Sequence, residues 1–135
     1  MSSSVSLIRS NKLAAVAEYA YGATAPSDAR FIFLAGACPL AVDGATTGVG
    51  DYAAQAQKAV ENMCIALDDA GASISDVIST RILVASSDRA DLSAAWQVVS
   101  AAFGDHDAPS TLMGVTVLGY PDQLVEIEAV AAVID

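Results

Sequence analysis

Two stretches of the chain repeat apolar residues at the three- and four-residue spacing of an amphipathic helix. Asp51 is a candidate N-cap before the first stretch, Gly71 is a candidate stop after it, and Asp88 is a candidate cap for the second. The predicted buried faces consist of Ala56, Val60, Met63, Leu67 and Ala70 in the first helix, and of Leu92, Ala95 or Trp96, Val99 and Phe103 in the second. Each helix therefore has one side that needs a core.

The other apolar runs are short and bounded by turn residues, which is typical of strands. They cover residues 13–21, 30–36, 77–85, 110–118 and 123–133. The order β-β-α-β-α-β-β predicts an α+β fold with two layers, in which both helices pack on one face of a mixed sheet of about six strands. No repeat or linker interrupts this order, so residues 1–135 are predicted to form a single domain.

Composition adds an expectation about assembly. The chain is 54% hydrophobic and 16% charged, which is more apolar surface than one small core can hold. No apolar run approaches the roughly 20 residues that cross a bilayer. We therefore expect a homo-oligomer whose interfaces bury the remainder, and no membrane partner.

Charge and cysteine usage limit the class of partner. The chain has 6 basic and 16 acidic residues, a formal net charge of -10, and its basic residues are scattered singly. Such a chain lacks the positive stripe that follows a phosphate backbone, so no nucleic-acid partner is expected. No secretory signal is apparent and the two cysteines have neither disulfide nor metal spacing, which predicts a cytoplasmic protein without a metal site.

Candidate chemistry is concentrated in the last predicted strand. Strict alternation in residues 124–130 places Glu126 and Glu128 on one face. Two carboxylates in an apolar strand indicate either a wet edge or a positioned acid or base in a cleft, and the pattern alone favours neither. Cys38 and Cys64 are expected to be small buried apolar residues, and His106 a solvated turn residue.

Four blocks of the sequence resemble, in order, those of the reactive intermediate deaminase (Rid, YjgF or L-PSP) family. They are LAGACP at 34–39, YAAQAQKAVEN at 52–62, AGASISDV at 70–77 and LVEIEAVA at 124–131. The resemblance covers roughly residues 15–133. It implies a chorismate-mutase-like subunit assembled as a homotrimer, with small-molecule clefts between subunits. It also implies hydrolysis of a reactive imine or enamine, such as 2-aminoacrylate, without a cofactor.

The resemblance implies site residues one by one. The family glutamate falls on Glu126, the backbone glycine after the first long strand on Gly36, and the tyrosine on Tyr21 or, one register away, Tyr19. The family arginine that binds the substrate carboxylate falls on Thr111, and the cysteine two residues later in several relatives falls on Met113. Trp96 completes the expected substrate-binding residues, with Glu126 and Thr111 expected to be catalytic.

The threonine in the arginine position leaves the function open among three alternatives. The first is an imine or enamine hydrolase whose substrate need not present a carboxylate. The second is a non-catalytic trimer that binds a small ligand, and the third is the endoribonuclease activity implied by the L-PSP name, which the charge of -10 disfavours. Arg81 is a candidate replacement cation, although a strand arginine more often extends along the surface.

Overall fold

The computed structural model describes residues 3–135, so residues 1 and 2 of the predicted 1–135 domain lie outside it. The two helices are confirmed, and the six strands form two sheets instead of one. β1 and β2 pair as an antiparallel hairpin, while the other four strands form a mixed sheet in the order β3-β6-β4-β5. The elements are β1 Ser6–Ile8, β2 Gly22–Thr24, β3 Arg30–Phe33, α1 Tyr52–Asp69, a short 3-10 helix Ile74–Asp76, β4 Val77–Ala85, α2 Arg89–Phe103, β5 Ser110–Val115 and β6 Val125–Val133.

The strand predicted over residues 13–21 is wrong. This segment consists of turns and bends that connect β1 to β2. Its polar groups bond outside any ladder: the Tyr21 hydroxyl donates to the Ala14 carbonyl at 2.6 Å, and the Ala20 N–H donates to the Asp107 carbonyl at 2.7 Å. Its alanine-rich sequence has weak strand propensity, so these local bonds decide its path.

Three predicted strand boundaries also shift. β3 ends at Phe33 instead of residue 36 because the chain bulges away from β6 before Ala37 bridges to Ile127. β5 ends at Val115 instead of residue 118 because its parallel partner β4 ends at Ala85, which lies opposite Val115. β6 begins at Val125 instead of residue 123, since the Gln123 N–H closes a turn by donating to the Tyr120 carbonyl at 3.1 Å.

The helix termini follow the predicted capping chemistry. The Asp51 carboxylate accepts the Ala54 N–H at 3.0 Å, and the Asp88 carboxylate accepts the Ala90 N–H at 2.9 Å. Gly71 follows α1 with φ of +80°, a conformation that side chains with a Cβ rarely adopt. These caps fix where each helix starts, and so which of its faces meets the sheet.

The core lies between the two helices and one face of the four-stranded sheet. Met63 and Leu67 of α1 and Val99 of α2 pack against Ile82 and Ile127 of the two central strands, and all are at most 1% exposed. The next residue along each strand points to the opposite face, which the described elements cover only in part, since Ala132 on it is buried. Phe31 and Phe33 lie on that face and are 53% and 77% exposed. We call this side the open face.

Candidate functional site

The backbone bulges where β3 passes the middle of β6. Phe33 pairs with Val130, and Ala37 bridges to Ile127. Three residues, 34–36, therefore stand opposite only two residues of β6, 128 and 129. Two hydrogen bonds of 2.7 and 3.0 Å between Ala37 and Ile127 close the bulge. Bulges of this kind re-aim side chains and are common beside active sites. This one brings Gly36 against β6.

Glu126 projects from β6 onto the open face at the bulge. Its Oε1 atom accepts two hydrogen bonds, one from the Cys38 thiol at 3.2 Å and one from the Gln123 amide at 3.1 Å. Its Oε2 atom lies against the backbone of Gly36, where a methyl group would overlap with the carboxylate. A side chain at position 36 would therefore push the Glu126 carboxylate out of this position. Gly36 and Glu126, which were each predicted as site residues, lie in contact.

Cys38 differs from the small buried residue that was expected. It is half-buried, and its thiol donates to Glu126. Burial and the bond to the Glu126 carboxylate together raise the pKa of the Cys38 thiol to about 11. The thiol therefore stays protonated at neutral pH and acts as a donor. Burial also raises the pKa of Cys64, which lies on α1 away from this group.

Two amide side chains of α1 hold the loops on either side of Glu126. Gln55 is fully buried; its amide nitrogen donates to the Asp122 carbonyl at 2.9 Å, and its oxygen accepts the Leu124 N–H at 2.7 Å. Asn62 donates to the Cys38 carbonyl at 2.8 Å and to the Leu40 carbonyl at 3.0 Å. The Q-x6-N pattern of the second sequence block therefore supports the site without entering it.

A second group of predicted residues lines an open groove of about 520 Å³ between the β1–β2 connection, α2 and β5. Thr111 stands in it together with Tyr19, Tyr21 and Trp96. The ring of Tyr19 lies 6.0 Å from that of Trp96 and 6.2 Å from that of Tyr21, both edge-on. Both tyrosines considered for the family position therefore face the same groove.

Arg81 stands beside Thr111. It lies opposite Thr111 on β5 and opposite Glu128 on β6, so the three side chains form one row across the open face. Its guanidinium meets the Glu128 carboxylate at 3.4 Å, with 59% and 39% of the two side chains exposed. A second hollow of about 390 Å³ contains Arg81, Thr111 and Tyr21 together.

Five of the six predicted site residues fall into two groups within one chain. Gly36 and Glu126 lie at the bulge, while Thr111, Tyr21 and Trp96 lie at the groove. Met113 shares a row with Leu83 and Glu126. Because β4 separates β5 from β6, and Thr111 lies two residues along β5 from that row, Glu126 and Thr111 stand about 12 Å apart. They do not meet in one chain.

Other features of the described residues were compared with these two groups. A hollow of about 620 Å³ at the start of α2, lined by Ser86, Arg89 and Thr116, contains none of the six predicted residues. Within residues 3–135 no cluster of three or more His, Cys, Asp or Glu side chains could hold a metal, and no helix is long and apolar enough to span a bilayer. His106 is less solvated than predicted, because its ring nitrogen bonds the Val77 carbonyl at 2.7 Å.

Sequence reasoning missed the site role of two residues, Cys38 and Gln123, and identified Asn62 without its purpose. Cys38 and Gln123 contact Glu126 directly, and Asn62 anchors the segment that carries Cys38. The available signal was that Cys38 lies two residues from Gly36 and Gln123 three residues from Glu126. Hydrogen bonds between distant segments have no periodicity, so that signal was insufficient.

Comparison with known proteins gives one consistent relationship. Residues 9–133 match the family model described as Endoribonuclease L-PSP. A RutC family protein from Pyrococcus abyssi is 33% identical over 102 residues, which are 76% of this chain and 78% of that protein.

Solved structures agree with that relationship. YyfB from Yersinia pestis, described as a protein of unknown function in the conserved Rid family, superposes with a TM-score of 0.89 at 26% identity, covering 96% of this chain and 99% of that one. A member of the YjgF family from Mycobacterium tuberculosis superposes with a TM-score of 0.64 at 30% identity, covering 96% and 100%.

Proposed function

Because the chain belongs to the endoribonuclease L-PSP family, also called Rid or YjgF, we propose that it hydrolyses a reactive imine or enamine of a small molecule. The site is a cleft between two copies of the chain. Glu126 exchanges protons with the attacking water, and Thr111, Tyr21, Met113 and Trp96 contact the substrate.

The observation that supports this proposal best is the setting of Glu126. A carboxylate that only solvates a surface strand has no need of fixed partners. Glu126 is held through Oε1 by two donors on separate segments, and Oε2 points along the backbone of Gly36. A carboxylate with one oxygen tethered and the other accessible has the geometry of a general acid or base.

The chemistry needs little else. An enamine first takes a proton on carbon and gives one up from nitrogen to become the imine. Water then adds to the imine carbon while Oε2 accepts a water proton, which passes to the nitrogen. The hydroxyl proton of the resulting carbinolamine moves to the amino nitrogen, the carbon–nitrogen bond breaks, and ammonia leaves a carbonyl product. Each step moves only protons and water, which one carboxylate and neutral donors can serve.

The separation of the two residue groups favours a site shared between copies. Glu126 and Thr111 are about 12 Å apart in one chain, and exposed Phe31 and Phe33 lie on the same side of the sheet. We predict a homotrimer: light scattering at micromolar concentration should give about three times the 13.7 kDa mass of one chain. A monomer would contradict the shared cleft and its site assignment.

The position of Arg81 favours a substrate that carries a carboxylate, although the family arginine position itself holds Thr111. Its surface ion pair with Glu128 is worth little, and within the described residues the guanidinium makes one hydrogen bond of its five available. A carboxylate entering the groove beside Thr111 can take the remaining donors.

This assignment predicts opposite effects of two substitutions. Arg81→Gln should raise KM about 10- to 100-fold for a 2-imino acid, the cost of a lost charged hydrogen bond, and leave an uncharged imine unaffected. Thr111→Arg should lower KM for the 2-imino acid. Arg30→Gln, which removes another surface ion pair, is the control. Equal effects of Arg81→Gln on both substrates would contradict a carboxylate site.

RNA cleavage is a weaker alternative. Four of the six basic residues are already paired with carboxylates, and the chain's formal charge is -10. These pairs are Arg9 with Asp107, Arg30 with Asp135, Lys58 with Glu61, and Arg81 with Glu128. The surface therefore repels a phosphate backbone.

Turnover of freshly generated imines, followed by the release of ammonia and the carbonyl product, tests the proposed function. The rate must exceed that of spontaneous hydrolysis and must depend on Glu126.

A further inference from the structure

The Glu126 carboxylate is tethered asymmetrically. Both of its donors reach Oε1, from Cys38 at 3.2 Å and from Gln123 at 3.1 Å, and no hydrogen bond to Oε2 is found within residues 3–135. A side chain that merely filled space between two loops would have no reason to divide its oxygens in this way. The two oxygens therefore have different tasks.

Both donors are themselves fixed by the backbone. The Gln123 side chain is 4% exposed; its amide nitrogen also donates to the Val125 carbonyl at 3.1 Å, and its oxygen accepts the Tyr120 N–H at 3.1 Å. These partners determine which end of the amide faces Glu126. The Cys38 backbone is anchored by Asn62. The Gln123 amide cannot rotate away without losing these bonds, and the Asn62 bond keeps the Cys38 backbone within reach of Glu126.

We propose that Cys38 and Gln123 are positioning residues that hold Glu126 by Oε1 and leave Oε2 as the oxygen that exchanges a proton with water. This inference rests on the proposed function for its catalytic meaning. The interaction between the Cys38 thiol and the Glu126 carboxylate does not depend on that function and can be tested without it. Neither donor touches the substrate, since both act through Glu126.

Kinetics of the Cys38 series are the first test. Cys38→Ala should lower kcat about 3- to 10-fold, because the Glu126 carboxylate loses one of its two donors and samples more orientations. KM should stay unchanged, because Cys38 does not touch the substrate. Cys38→Ser keeps an O–H donor and should recover most of the rate. Cys64→Ala, which removes the other half-buried cysteine, should leave kcat unchanged. Cys38→Ala matching Cys64→Ala would overturn the proposal.

A double-mutant cycle separates positioning from general packing. Introducing Cys38→Ala into Glu126→Gln should cause no further loss of residual activity, because the thiol acts only through the carboxylate. Gln123→Leu should show the same non-additivity. Equal losses with and without Glu126 would mean that these residues support the fold in general and would refute a positioning role.

The second test requires no turnover. Glu126 is the charged group that acts on the Cys38 thiol, and Gln123 beside it is neutral. Glu126→Gln removes the negative charge, so the thiol pKa should fall from about 11. If the pKa of the thiol falls by one, the fraction of thiolate near pH 8 rises roughly tenfold. A thiolate of lower pKa is a weaker nucleophile, which cancels part of this gain, so we expect alkylation of Cys38 by iodoacetamide to become about threefold faster.

Mass spectrometry resolves the two cysteines, and Cys64 serves as the internal reference. An unchanged Cys38 rate against pH in Glu126→Gln would show that thiol and carboxylate are not coupled, and would overturn the inference by itself. If the wild type hydrolyses no imine but Cys38 responds as expected, the proposed function fails while the tether is upheld.

Discussion

Glu126→Gln should reduce kcat for imine hydrolysis at least 100-fold, while the protein keeps its folded structure and melting temperature. The amide has the shape of the carboxylate and remains within reach of Cys38 and Gln123. It cannot accept a proton from water. Removal of a positioned general acid or base typically costs 10²- to 10⁴-fold in rate, so this loss is among the largest that a single atom exchange can cause here.

Turnover of a panel of freshly generated 2-imino acids and uncharged imines measures this effect. Glu61→Gln is the matched control, since Glu61 lies on the exposed face of α1 and is paired only with groups of its own helix. Wild-type rates in Glu126→Gln would rule out the proposed chemistry. A wild type that hydrolyses nothing, yet is stabilised against heat by a small ligand, would instead support the non-catalytic alternative.

Gln55→Leu should lower the free energy of unfolding by about 3 kcal/mol, roughly 10 °C in melting temperature for a chain of this size. Leucine fits the volume of Gln55 but makes no hydrogen bonds. The Asp122 carbonyl and the Leu124 N–H, in part-buried hydrogen bonds, would then lose their partners. Each such orphaned group costs about 1–3 kcal/mol.

Thermal unfolding at one fixed protein concentration measures this loss, since association also shifts the melting temperature. Gln57→Leu is the control: Gln57 lies on the same helix, is exposed, and contacts only Glu61 at 3.4 Å. We expect that control to stay within about 0.5 kcal/mol of the wild type. Equal stability of the two variants would contradict a structural role for the buried amide.

The helices and most strands were predictable because their signals are local. The period of the apolar residues in α1 and α2 and the cap residues Asp51 and Asp88 depend on neighbours within a few positions. The alternation around Glu126 likewise identified which residues of β6 face away from the core. The segment at 13–21 failed because bonds to Asp107 and within the segment outweighed a weak strand pattern, and the short strands β1 and β2 on either side of it were not predicted.

The site was predictable in part. Resemblance to the family pointed to Gly36 and Glu126, and the structure places them in contact through a bulge that no sequence period announces. It also pointed to Gln55 and Asn62 without their purpose, which is to fasten loops that lie far apart in the chain. The neighbourhood of Thr111 and Arg81 depends on which strands pair and in which register.

The sequence by itself therefore determined the order of the two helices and of the four strands in the main sheet, their buried faces, the family and the scarcity of basic residues, since each follows from local spacing or from composition. Tertiary structure alone decided the division into two sheets, the tether of Glu126 by Cys38 and Gln123, and the row that joins Thr111, Arg81 and Glu128. The physical reason is that hydrogen bonds and strand register between distant segments are properties of the folded chain.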